Sequence, residues 1–122
     1  MITVLHHAVL FCRDTDASRA RYERAGFTYR RGYEGMHWLE MGDAEVMLRP
    51  GGEGEVRGRP VLHAAVSDAA AALARARANG LRPLDHQDPG RELTEPVRRP
   101  WGDVEFELQD PDGQWWAFTE RP

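Results

Sequence analysis

A chain of 122 residues with 16 basic and 20 acidic side chains, net charge −4, has room for one modest core and not for two. Its basic residues are scattered over the whole length, which excludes the clustered positive face that nucleic acid demands; all are arginine, so Schiff-base chemistry on lysine is excluded too. With no run of about 18 apolar residues, no basic-then-apolar leader and Cys12 as its only cysteine, no membrane span, signal peptide or internal disulfide is expected, and a reducing cytoplasm is the expected compartment.

The first predicted element is the apolar run "VLHHAVLFC" (4–12), a strand that sends His6 and His7 to opposite faces. Asp14 stands where it can cap a helix over 15–25, and Gly26 suits a left-handed stop after it. Strands are predicted at 27–32, at "MHWLEM" (36–41) and at "AEVMLR" (44–49), with Gly42-Asp43 as a tight turn. The glycine-rich stretch that follows reads as a linker over 51–60 and lacks the Lys-Ser/Thr of a phosphate loop. Neither Ser18 nor Ser67 lies in a Gly-x-Ser-x-Gly elbow, so a serine hydrolase is also excluded.

The second half repeats the pattern. "VLHAAVS" (61–67) is a strand, Asp68 a cap, 69–79 a helix with Ala69, Ala72, Leu73 and Ala76 on one face, and Gly80 its stop. Four prolines in 81–100 predict one edge strand and a long loop. Strands at 104–109 and 114–120 are joined by the turn "DPDG" (110–113). A shift of 54 residues lays Asp14 on Asp68 and Gly26 on Gly80. The expectation is one α+β domain of two βαβββ modules, 1–50 and 61–122, forming a curled, cleft-bearing mixed sheet. Alternation puts Val46, Leu48, Val104, Phe106, Leu108, Trp116 and Phe118 under the helices. Glu45, Met47, Arg49, Glu105, Glu107, Trp115, Ala117 and Thr119 take the other face, the expected ligand side. Arg30-Arg31 and Arg98-Arg99 read as solvated surface.

His7 seven residues before Asp14, "RAGF" (24–27) ending the first helix, and "PWGDVEFELQDPDG" (100–113) together resemble the vicinal-oxygen-chelate superfamily of glyoxalase I, extradiol dioxygenases and bleomycin-resistance proteins. The Pro-Trp-Gly, strand, Asp-Pro-Asp-Gly order is most similar to the bleomycin-resistance branch. In the superfamily's metal enzymes each repeat gives two ligands to one divalent ion. The resemblance maps those four positions onto His7, Met47, Val61 and Ala117. Methionine, valine and alanine do not hold a hard divalent ion, so no metal, no cofactor and no catalytic residue is expected.

The expected function is therefore reversible binding of a small amphipathic molecule, similar to antibiotic sequestration. Trp38, Trp101 and Trp115 would offer stacking area. Glu105 and Glu107, unless plainly solvated, would offer charge to a cationic guest; Arg49, His7 and His63 would offer polar contacts beside Met47 and Ala117. The resemblance further implies a homodimer. The rival expectation is a metal-dependent lyase, isomerase or dioxygenase with a displaced site drawn from His7, His63, Glu45 and Glu105.

Overall fold

The computed structural model describes residues 6–52 and 61–122; most of the predicted linker, 53–60, and strand residues 4–5 lie outside the described residues. By compactness the chain divides into one unit of residues 1–59 with 110–113 and another of 60–109 with 114–122.

In the first unit, β1 (His7–Cys12) leads into α1 (Thr15–Arg24), followed by β2 (Tyr29–Tyr33), β3 (Met36–Met41) and β4 (Ala44–Pro50). The strands lie in the order β1-β4-β3-β2. β1 runs parallel to β4, and the other pairings are antiparallel. The helix starts because the Asp14 carboxylate accepts the Ala17 N–H at 3.0 Å. It stops at Gly26, whose φ of 108° a side chain with a Cβ rarely adopts. Leu10, Cys12, Leu39, Val46 and Leu48 fill the helix side of the sheet with Tyr22. The fully buried leucines contribute about 1.5–3 kcal/mol each.

α1 is a polar helix, and polar contacts anchor it. Residues 110–113, grouped with this unit, form the predicted Asp-Pro-Asp-Gly turn, with the Gly113 N–H donating to the Asp110 carbonyl. Asp112 is buried and accepts from the Arg13 N–H at 2.8 Å, from Arg13 Nη1 at 2.9 Å and from the Ser18 hydroxyl at 3.3 Å. The Tyr22 hydroxyl donates to Asp110 at 2.9 Å. Three donors on and beside the helix thereby converge on one carboxylate.

The second unit repeats the topology: β5 (Leu62–Ala65), α2 (Ala69–Ala78), β6 (Val97–Arg98), β7 (Val104–Gln109) and β8 (Trp115–Glu120), in the order β5-β8-β7-β6. Asp68 caps α2 through the Ala71 N–H, again at 3.0 Å. The two helices therefore sit 54 residues apart in sequence, each with the same cap. Leu73 and Ala76 of α2 pack over Leu108, Trp116 and the stacked rings of Phe106 and Phe118.

The segment before β6 carries its prolines as predicted, but it is ordered against the sheet. Leu84 exchanges both backbone hydrogen bonds with Glu107, at 2.7 Å each. Val97 then pairs with Glu105 farther along the same edge of β7. Those two pairings fix where Asp85, His86 and Arg99 stand.

Candidate functional site

On the second sheet, register defines the face opposite α2. His63, Ala117 and Glu107 form one row across β5, β8 and β7, and Ala65, Thr119 and Glu105 form the next. Glu105 and Glu107 are only 5% and 1% exposed, so they are not solvated. Two buried carboxylates need partners. They find them on the segments that β7 pairs with.

Arg99 supplies most of the compensation, and here the sequence expectation fails: it is 7% exposed, not surface. Its Nε donates to Glu105 at 2.8 Å, and its two Nη atoms grip Asp85 at 3.1 and 3.3 Å. Pairing of β6 with β7 carries Arg99 inward beside the carboxylates, and its rigid fork suits them. The hydrogen bonds it donates to Asp85 are the leading influence holding the Arg99 pKa above its ordinary value, against the opposing effect of burial. Burial pushes the Asp85 carboxyl up, but the Arg99 hydrogen bonds, the Gln87 N–H and the Arg99 charge outweigh it and hold the pKa below the usual value. Glu105 behaves alike: burial raises its pKa, and hydrogen bonds from Arg99 and Thr119 with the charge of Arg99 bring it below normal.

A relay runs outward from Glu105. The Thr119 hydroxyl donates to Glu105 Oε2 at 2.8 Å, which leaves its oxygen to accept from His63 Nδ1 at 3.0 Å. That assignment makes Nε2 of a neutral His63 an acceptor. His63 is half-exposed and lines a cavity of about 350 Å³ together with Ala65, Val66, Thr119 and Arg121. The cavity falls in the size range of small-molecule sites. It joins small apolar surface to two cation-capable groups.

On the other side of Glu107, Oε1 accepts the His86 N–H at 3.1 Å and lies in hydrogen-bond contact with His86 Nδ1. Asp85, His86 and Glu107 are the one group of three metal-capable side chains that converge among the described residues.

The first unit places the remaining predicted residues. His7 is exposed, and its Nδ1 sits 2.8 Å from that of His6. Its register partner on β4 is Glu45, whereas Met47 lies opposite Val9 and Trp38. Trp38 is half-buried, with the Arg31 guanidinium 4.2 Å above its ring. Arg49 is exposed. In the second unit Val61 is exposed and Ala117 buried. Trp115 is half-buried. Trp101 is 66% exposed, its indole N–H donating to Asp103, so it packs in no core.

The four positions that the resemblance maps for a metal do not fit one. Met47, Val61 and Ala117 offer no hard donor. Glu45, the carboxylate nearest His7 in register, is taken by Arg30 at 2.9 Å, with Arg31 at 3.9 Å. Sequence reasoning missed Asp85, His86, Arg99 and Arg121. It had placed Thr119 on the right face by alternation, and the same alternation applied to Glu105 and Glu107 calls for a buried cation nearby.

The family model described as Glyoxalase/Bleomycin resistance protein/Dioxygenase superfamily matches residues 4–118. A search of curated proteins finds no matching sequence. Among solved structures, a bleomycin resistance determinant encoded on the transposon Tn5 superposes with a TM-score of 0.74 at 21% identity, covering 98% of each chain. An integron cassette protein from the mobile metagenome of V. cholerae gives 0.73 at 21%, covering 100% of this chain and 98% of that one. Lactoylglutathione lyase from Agrobacterium tumefaciens gives 0.70 at 19%, covering 98% and 95%. At these identities the likeness is one of fold.

Proposed function

This chain belongs to the glyoxalase/bleomycin resistance protein/dioxygenase superfamily, and from that membership and the geometry above we propose that it binds a small amphipathic molecule reversibly, making and breaking no bond. The observation that carries the reading is the cavity over β5 and β8. Ala65 and Val66 offer an apolar floor, and His63, Thr119 and Arg121 offer directional polar contacts. Arg121 has no ion-pair partner among the described residues, so its guanidinium is available to a carboxylate or phosphate on the guest. The carboxylates beneath are closed to a guest in this cavity: Glu105 is buried and holds Arg99 and Thr119, and Glu107 is buried with its Oε1 against His86. A cationic guest therefore has less to bind here than the sequence implied, and an amphipathic acid has more. Antibiotic sequestration, as the name of the transposon-borne relative suggests, is the biological form this binding would take.

Pairing of two chains in the cytoplasm belongs to the same proposal. Trp101 and Tyr33, both more than 60% exposed, are apolar surface that a second copy would cover. Light scattering checks the pairing. Tryptophan fluorescence against bleomycin-type glycopeptides, amphipathic acids and amphipathic amines tests the binding. The expected result is saturable quenching by at least one member, weakened at least tenfold in His63→Ala and Arg121→Ala. No saturable ligand, or turnover of a thiol adduct or catechol that His63→Ala abolishes, overturns it.

A further inference from the structure

Asp85, Glu105 and Glu107 bring three carboxylates into a space where, among the described residues, Arg99 is the one guanidinium in contact with them. Three carboxylates face one guanidinium, with the imidazoles of His63 and His86 as the further groups beside them, and the side chains of Glu105 and Glu107 are at least nine-tenths buried. Charge in such surroundings is costly unless neutralised. Arg99 is spent mainly on Asp85 and Glu105; its nearest approach to Glu107 is 3.6 Å.

Glu107 is also incompletely bonded. Its Oε2 is buried and has no hydrogen-bond partner among the described residues. A carboxylate oxygen has two lone pairs, and native structures rarely bury one unsatisfied without an ion, a water or a functional reason. The other oxygen of the same carboxylate, Oε1, lies against His86 Nδ1, and one ligand atom each of Asp85, His86 and Glu107 lie within 4.8 Å of one another. Asp85 Oδ1 is filled by Arg99 and the Gln87 N–H, but Oδ2 receives only one Arg99 contact and keeps a lone pair. The three donors come from two adjacent loop residues and one strand residue, and the Leu84–Glu107 backbone pairing holds them in register.

We propose that Asp85, His86 and Glu107 form a binding site for one divalent transition-metal ion. One nitrogen and two carboxylate oxygens suit zinc, cobalt or nickel. The ion brings positive charge to a buried cluster in which three carboxylates face one guanidinium. Binding replaces the contact between His86 Nδ1 and Glu107 with bonds of about 2.0–2.2 Å to the ion. Any proton on Nδ1 leaves, and His86 coordinates as neutral imidazole. Half-exposed, His86 has the freedom to swing the short distance this needs. Three protein donors leave a fourth tetrahedral position for water or a ligand atom. The site uses none of His7, Met47, Val61 or Ala117 and is independent of the binding reading above.

The test uses untagged full-length protein, stripped with chelator and titrated with zinc by calorimetry and with cobalt by visible absorption. One ion per chain with a dissociation constant of micromolar or tighter is expected, with cobalt bands that zinc abolishes. His86→Ala should weaken uptake at least tenfold, and so should His86→Gln, which retains a hydrogen-bond donor toward Glu107. A double His6→Ala/His7→Ala variant should bind as the parent does. No saturable uptake at 100-fold excess ion, or uptake that persists in both His86 variants, overturns the proposal. Uptake lost instead in the His6/His7 variant overturns it too.

Discussion

Replacing Arg99 with methionine is the sharpest probe of the second unit. The substitution keeps much of the stem volume and removes the guanidinium, with its bonds to Asp85 at 3.1 and 3.3 Å and to Glu105 at 2.8 Å. Arg99 and Glu105 are each more than 90% buried, so little water is available to replace what is lost. Removing one partner of a buried ion pair costs about 3–5 kcal/mol, because the surviving charge stays desolvated. Two carboxylates are stranded here, which places the estimate toward the upper end. Against a typical stability of about 5–15 kcal/mol this is a large fraction. At roughly 4 °C per kcal/mol for a chain of this size, the melting temperature should fall by about 12–20 °C. Urea unfolding followed by circular dichroism at pH 7 measures it directly. The double variant Arg99→Met/Glu105→Gln should recover part of the loss, since one stranded charge is then gone. A single-variant loss below about 1 kcal/mol would falsify the account of Arg99 as the buried counter-ion.

Acid should act through the same cluster. Asp85 and Glu105 are held below their ordinary values of 3.8 and 4.5, so their contribution is complete above those values and is lost as pH falls through the folded-state pKa of each. Urea midpoints should therefore drop from about pH 4.5 downward, and Arg99→Met should flatten that dependence; parallel profiles for parent and variant would contradict it. In the first unit, Asp112→Ala strips the acceptor from the Arg13 N–H and from the buried Ser18 hydroxyl, at an expected cost of about 3 kcal/mol. Asp112→Asn should be milder, because one amide oxygen still accepts; equal losses in the two variants would count against the carboxylate as anchor.

The chain wrote its local structure into its sequence. Asp14 and Asp68 cap because a short carboxylate reaches the N–H three residues on, and Gly26 and Gly80 stop the helices because a positive φ is open to them. Alternation sorted Val46, Leu48, Phe106 and Phe118 from Glu105, Glu107 and Thr119, since strand geometry leaves each side chain one of two faces. These are properties of neighbours in the chain, and a single sequence carries them. What a carboxylate meets on its face is settled by residues distant in the chain. Arg99 looked like half of a solvated pair until β6 paired with β7 and placed it against Glu105. Asp85 and His86 lie in a proline-rich stretch with no periodicity; a single backbone pairing, Leu84 with Glu107, brings them to the site. Register between β1 and β4 was equally hidden, and it set His7 opposite Glu45 and Met47 opposite Val9. Periodicity determines faces, whereas cross-strand pairing determines partners, and the chemistry of this second unit is a matter of partners.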